Sequence, residues 1–143
     1  MDEVYSDTEV YDIAGKVLSV LAPSQDQATF LCLQGDLGAG KTTLTQAVAK
    51  HLGIEEAVVS PTFVIAKFYH PTTGGFMQLV HIDAYRIESD DELGSIGFDQ
   101  LLKEPNTLVV VEWPERIKKS IPDGATWMNI THRDTMRHIT ENQ

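Results

Sequence analysis

Eight consecutive residues constrain this chain more than any others: Gly35-Asp36-Leu37-Gly38-Ala39-Gly40-Lys41-Thr42. Gly35, Gly40, Lys41 and Thr42 fill the pattern G-x-x-x-x-G-K-[ST]. Upstream lies the short apolar run Thr29 to Leu33, which reads as a buried strand. Downstream, Thr42 to Leu52 carries Leu44, Ala47, Val48 and Leu52 on one helical face, with Gly53 placed to end the helix. A strand, a glycine-rich turn and a helix in that order form an anion cradle. Glycines admit positive φ and let the backbone approach a phosphate closely. Successive backbone N–H groups then point into one concavity, and the helix N-terminus adds its positive dipole end. In such a loop Lys41 is positioned for the β- and γ-phosphates and the Thr42 hydroxyl for Mg²⁺.

The rest of the chain supports an α/β fold. Val10, Ile13, Ala14, Val17, Leu18 and Leu21 follow helical spacing, with Ser6 or Thr8 available as a cap. Phe63 to Tyr69 and Phe76 to Ile82 have strand character and flank the turn-rich Pro71-Thr72-Thr73-Gly74-Gly75, which predicts an antiparallel hairpin. Ser89 and Glu92 have the spacing of a capping box for a short helix running toward Ile96. Leu108 to Val111 reads as a strand buried on both faces, Pro114 to Ser120 as a short helix, and the segments around Trp127–Ile130 and Met136–Ile139 as late strands. No repeat or linker interrupts the 143 residues. The expectation is one domain over 1–143, a P-loop NTPase-like three-layer fold with a mixed central sheet that includes an antiparallel hairpin.

A phosphate loop that hydrolyses its ligand needs acids at neighbouring strand ends. Glu112 ends the strongest strand and is favoured as the metal acid beside Thr42, while Asp83 ends Leu79-Val80-His81-Ile82 and is the candidate to orient an attacking water or to join the metal shell. Strand alternation puts His81 on the same face as Asp83, where a satisfied core or hinge role is expected. Ser60-Pro61-Thr62-Phe63 reads either as a γ-phosphate-sensing segment or as an ordinary turn. The histidines and Cys32 lack zinc-type spacing, and Cys32 reads as a buried small hydrophobe.

Charge and composition narrow the partners. The formal net charge of −10 disfavours unaided binding to a polyphosphate backbone and suits a basic protein partner. Met1-Asp2-Glu3 is acidic where a secretory signal is basic, and no apolar run approaches the roughly 20 residues of a membrane span. A reducing cytoplasm is the expected location, with no membrane partner. No Asn/Thr-Lys-x-Asp element for guanine is present, which points to ATP. Arg86, Arg116, Arg133 and Arg137 form no lid-like cluster, so slow ATP hydrolysis fits better than transfer to a metabolite. A small-molecule or protein kinase using the same loop is the alternative, and a non-catalytic ATP-gated binding module a third reading.

Four motifs in order resemble one family. The loop with Thr43, then Ser60-Pro61-Thr62-Phe63, His81-Ile82-Asp83-Ala84-Tyr85-Arg86 and Glu112-Trp113-Pro114 are similar to the TsaE (formerly YjeE) family over most of the chain. The resemblance implies an Mg²⁺-dependent ATPase required for threonylcarbamoyladenosine (t6A) at position 37 of tRNAs that read codons starting with adenine. It implies work on a TsaB–TsaD heterodimer that grips the tRNA, with hydrolysis resetting the complex. Carried over by residue, Gly38, Ala39, Gly40, Lys41, Thr42 and Thr43 bind the phosphates, and Lys41 and Asp83 serve catalysis. Thr42 and Glu112 hold magnesium, and Thr8 borders the adenine. Trp113 sits beside the nucleotide or in the core, and Arg133 is a further candidate near the base. Leu101 stands where the family often carries an aromatic.

Overall fold

The computed structural model describes residues 1–60 and 65–142. In chain order the strands are β1 (Asp2–Ser6), β2 (Thr29–Gln34), β3 (Ala66–Tyr69), β4 (Gln78–Asp83), β5 (Thr107–Glu112), β6 (Thr126–Arg133) and β7 (Met136–Glu141). The helices are α1 (Val10–Ser19), α2 (Lys41–His51) and α3 (Phe98–Leu101), with 3-10 segments at Asp7–Glu9, Asp90–Ile96 and Pro114–Ser120. These strands form one sheet in the order β1-β7-β6-β2-β5-β4-β3. The central strands β6, β2, β5 and β4 run parallel. Antiparallel partners close both sides: β3 on β4, and β7 on β6 and β1.

Pleating explains the layers. Successive residues of β2 and β5 point to opposite faces. Leu31, Leu33, Leu108 and Val110 pack with Ile13, Val17, Leu44 and Val48 of α1 and α2. Phe30, Cys32, Val109 and Val111 pack with Phe98, Leu101 and Ile117 on the other face. Every residue of β5 is buried, as expected for a central parallel strand. Cys32 is wholly buried, and burial pushes its thiol up to about 12, so it behaves as a small hydrophobe. The three-layer α/β arrangement with a mixed sheet and an antiparallel β3–β4 pair is the predicted one.

Helix ends follow local chemistry. Gly53 stands in the left-handed region at φ +75. Its N–H donates to the Lys50 carbonyl, and the Ile54 N–H to that of Ala49, the paired bonds that close a helix C-terminus. The Ser89 hydroxyl accepts from Asp91 N–H, and Glu92 accepts from the backbone of Ser89, so the capping box forms as read. The segment that it opens is 3-10 rather than α-helical and ends at Gly97 in the left-handed region. Pro114–Ser120 is also 3-10, broken by non-helical angles at Ile117.

Several boundaries differ from the sequence reading. β1 was not anticipated: it is an edge strand with Tyr5 as its only buried residue, so it carries no alternating apolar signal. Ser6 caps the short turn Asp7–Glu9 with Glu9 as its partner, while Thr8 lies inside that turn. α1 stops at Ser19, and Leu21 is buried just beyond it. β4 begins at Gln78, leaving Phe76 in the core ahead of it. Of the strand expected over Phe63 to Tyr69, Phe63 and Val64 lie outside the described residues.

Candidate functional site

β2 runs into the glycine-rich loop and α2 leaves it, so the loop sits at the C-terminal edge of the parallel strands. Gly40 stands at φ +109, a conformation that L side chains rarely adopt. A Cβ there would lie 2.9 Å from the Arg137 guanidinium. The first turn of α2 leaves its N–H groups without intrahelical acceptors, facing outward. Ala39 turns its methyl into the core, so its contribution to the cleft is backbone.

Lys41 is buried, and its ammonium donates to the carbonyls of Gly35 and Asp36 of its own loop. It also lies 4.0 Å from the centroid of the Trp113 ring. Burial pushes the Lys41 pKa down, against the pull of Glu112, Glu115, Asp83 and Asp36. Trp113 has φ +59, uncommon for a large side chain and of a kind that concentrates at functional sites. Tyr85 lies beside it, with ring centroids 5.0 Å apart.

The acids meet across adjacent strand ends. Asp83 and Glu112 are register partners on parallel β4 and β5. Glu112 is 3% exposed. Its carboxylate oxygens accept from the Thr42 hydroxyl at 3.0 and 3.1 Å, and one of them accepts from His81 Nε2 at 2.5 Å. The Thr42 hydroxyl is also 2.9 Å from that of Ser60. Asp83 accepts from Tyr85 N–H at 3.0 Å. Burial raises the Asp83 pKa most, and that N–H opposes it.

These groups share one cleft of about 380 Å³, a size suited to a small ligand. Gly38, Ala39, Gly40, Lys41, Thr42, Thr43, Asp83, Glu112 and Trp113 all line it. Trp113 also packs against the core beneath, so the side chain both lines the cleft and belongs to the core edge. Thr8 does not line the cleft; it is exposed, with its hydroxyl on Ser6 at 2.9 Å. Arg133 is likewise exposed at the end of β6 and absent from the lining. Arg137 takes the loop-facing place instead. Its guanidinium donates to the Gly38 carbonyl at 2.9 Å and to Asp7 at 2.7 Å. That bond holds the Asp7 carboxyl below its ordinary pKa. The tight β6–β7 turn, with Asp134 at φ +56, reverses the chain and directs this choice. Pro61, Thr62 and Phe63 of the proposed sensing segment lie outside the described residues.

The donor set fits a hard divalent cation beside a polyphosphate. A hydroxyl and a buried carboxylate supply oxygen ligands of the kind Mg²⁺ takes. An ammonium folded onto loop carbonyls supplies the charge for an anion. His81, read as satisfied, is only half so: it is fully buried, and its Nδ1 has no partner among the described residues.

A family model described as "Threonylcarbamoyl adenosine biosynthesis protein TsaE" matches residues 5–139. The chain is similar to the tRNA threonylcarbamoyladenosine biosynthesis protein TsaE of Streptomyces coelicolor, 40% identical over 114 residues that cover 76% of this chain and 75% of that one. The protein of the same name from Bacillus subtilis is 42% identical over 111 residues, 77% of this chain and 66% of that one. The one from Treponema pallidum is 35% identical over 116 residues, 80% and 82%. The crystal structure of Bacillus subtilis YdiB superposes with a TM-score of 0.75 at 30% identity, covering 99% of this chain and 83% of that one.

Proposed function

The chain belongs to the TsaE family, and from that premise we propose that it is the Mg²⁺-dependent ATPase of t6A formation on tRNA. The observation that carries the reading is the Thr42 hydroxyl on both oxygens of Glu112, with Asp83 in register beside it at the mouth of the loop. That arrangement supports a divalent-metal and water site next to a phosphate cradle, the parts that phosphoryl transfer to water requires.

The loop amides and the α2 dipole hold the phosphates of ATP. Lys41 leaves the Gly35 and Asp36 carbonyls to meet the terminal phosphates. Thr42 and Glu112 hold Mg²⁺, which when bound withdraws charge from the phosphoryl oxygens. Asp83 orients the attacking water and takes up its proton. Its raised pKa makes it a better base than an exposed carboxylate, and the Tyr85 N–H fixes one of its oxygens in place. Trp113 and Tyr85 wall the cleft against bulk water.

The partner is a TsaB–TsaD-type heterodimer in the cytoplasm, which holds the tRNA while hydrolysis by this chain resets the complex. The net charge of −10 supports that division of labour, because so acidic a chain is a poor unaided ligand for tRNA. Among the described residues, no helix is long and apolar enough to cross a membrane. Replacing the only cellular copy by Lys41→Ala or Asp83→Ala should leave tRNA lacking t6A, measured by mass spectrometry of tRNA nucleosides. Normal t6A with either variant would sink the reading.

A further inference from the structure

His81 is wholly buried, and its ring nitrogens fare differently. Nε2 lies 2.5 Å from Glu112 Oε2, while Nδ1 has no partner among the described residues. Buried polar atoms are ordinarily satisfied, so an imidazole serving only as packing would be a poor choice here; a leucine would fill the space without an orphaned nitrogen. The site keeps the imidazole, and its one bond among the described residues goes to the carboxylate that also accepts from Thr42.

Strand register explains the contact. His81 stands opposite Val110 on the neighbouring strand, and Glu112 lies one same-face step beyond. A rigid ring on a central strand therefore reaches a carboxylate at the end of the next. That carboxylate ends a longer, more rotatable side chain, and the ring bond adds a second restraint to the one from Thr42.

We propose that His81 is a positioning residue for the metal-holding carboxylate: its Nε2–H fixes the rotamer of Glu112, so that the pair Thr42 and Glu112 is preformed for a divalent cation. The proposal rests on the nucleotide reading above. His81 touches neither nucleotide nor metal and acts only through Glu112. Partners of metal ligands commonly change metal affinity by about 10- to 100-fold when lost.

The test uses the full chain, with ATP titrated calorimetrically in Mg²⁺ and again in EDTA. His81→Leu keeps the volume and removes the donor, and His81→Gln keeps an N–H. The gain in ATP affinity conferred by Mg²⁺ should fall about tenfold in His81→Leu. Its EDTA affinity should stay at the wild-type level, and His81→Gln should recover most of the gain. An unchanged Mg²⁺ gain in His81→Leu would overturn the proposal, as would equal losses with and without Mg²⁺, which mark a merely structural residue. A wild type without any Mg²⁺ gain would remove the nucleotide reading and this inference together. Should His81→Leu fail to fold, a long-range ¹H–¹⁵N spectrum of the wild type decides: a proton on Nε2 supports the proposal, and a bare Nε2 overturns it.

Discussion

Asp83 is held at a cost to the fold. Burial raises its pKa above the ordinary 3.8, and neighbouring Glu112 adds to the rise. The folded state therefore binds more protons than the unfolded state between pH 3.8 and the raised value. This group's contribution to stability is largest below 3.8 and is lost as pH rises through the folded value. Asp83→Asn removes that penalty and keeps an acceptor for the Tyr85 N–H. At pH 7 the variant should melt above the wild type, with the gap closing as pH falls toward 4. Thermal melts across that range check the sign, and a less stable variant at pH 7 would refute it. That Lys41, Thr42, Asp83 and Glu112 meet in one cleft was legible in the sequence, because loop pattern and strand ends fix where such residues go. Arg137 was not, since its place over Gly38 depends on how the β6–β7 hairpin folds back. The His81–Glu112 bond also needed the register of two strands distant in sequence.

Elements with strong local chemistry appeared where the residues suggested. Gly53 closes α2, and Ser89 with Glu92 opens the Asp90–Ile96 segment. Ser89→Ala should destabilise the protein by about 1 kcal/mol, read by urea unfolding. β1 was illegible because an edge strand with a single buried side chain has no periodic apolar pattern. Tertiary pairing with β7 makes it a strand. The same pairing matters to the loop: Arg137 on β7 ties Asp7, just after β1, to the Gly38 carbonyl. In Arg137→Ala the amides around Gly38 and Gly40 should exchange hydrogen faster, with at most a modest fall in melting temperature because the Asp7 side of the pair is exposed while the Arg137 side chain is largely covered. Unchanged loop protection would show that the strap does not order the loop.

At the scale of the whole molecule, sheet order and charge divide the labour. Parallel β2, β5 and β4 deliver the loop, Glu112 and Asp83 to one edge, while antiparallel β1 and β7 bring the strap over it. The net charge of −10 disfavours unaided binding to tRNA, which suits the proposed division of labour with a partner. Phosphate release from ATP, with and without the TsaB–TsaD-type heterodimer, tests this most directly. The wild type should release phosphate in Mg²⁺, faster with the heterodimer present, and Lys41→Ala should release none above background. A wild type inactive with its partner, or a Lys41→Ala variant as active as the wild type, would contradict the account.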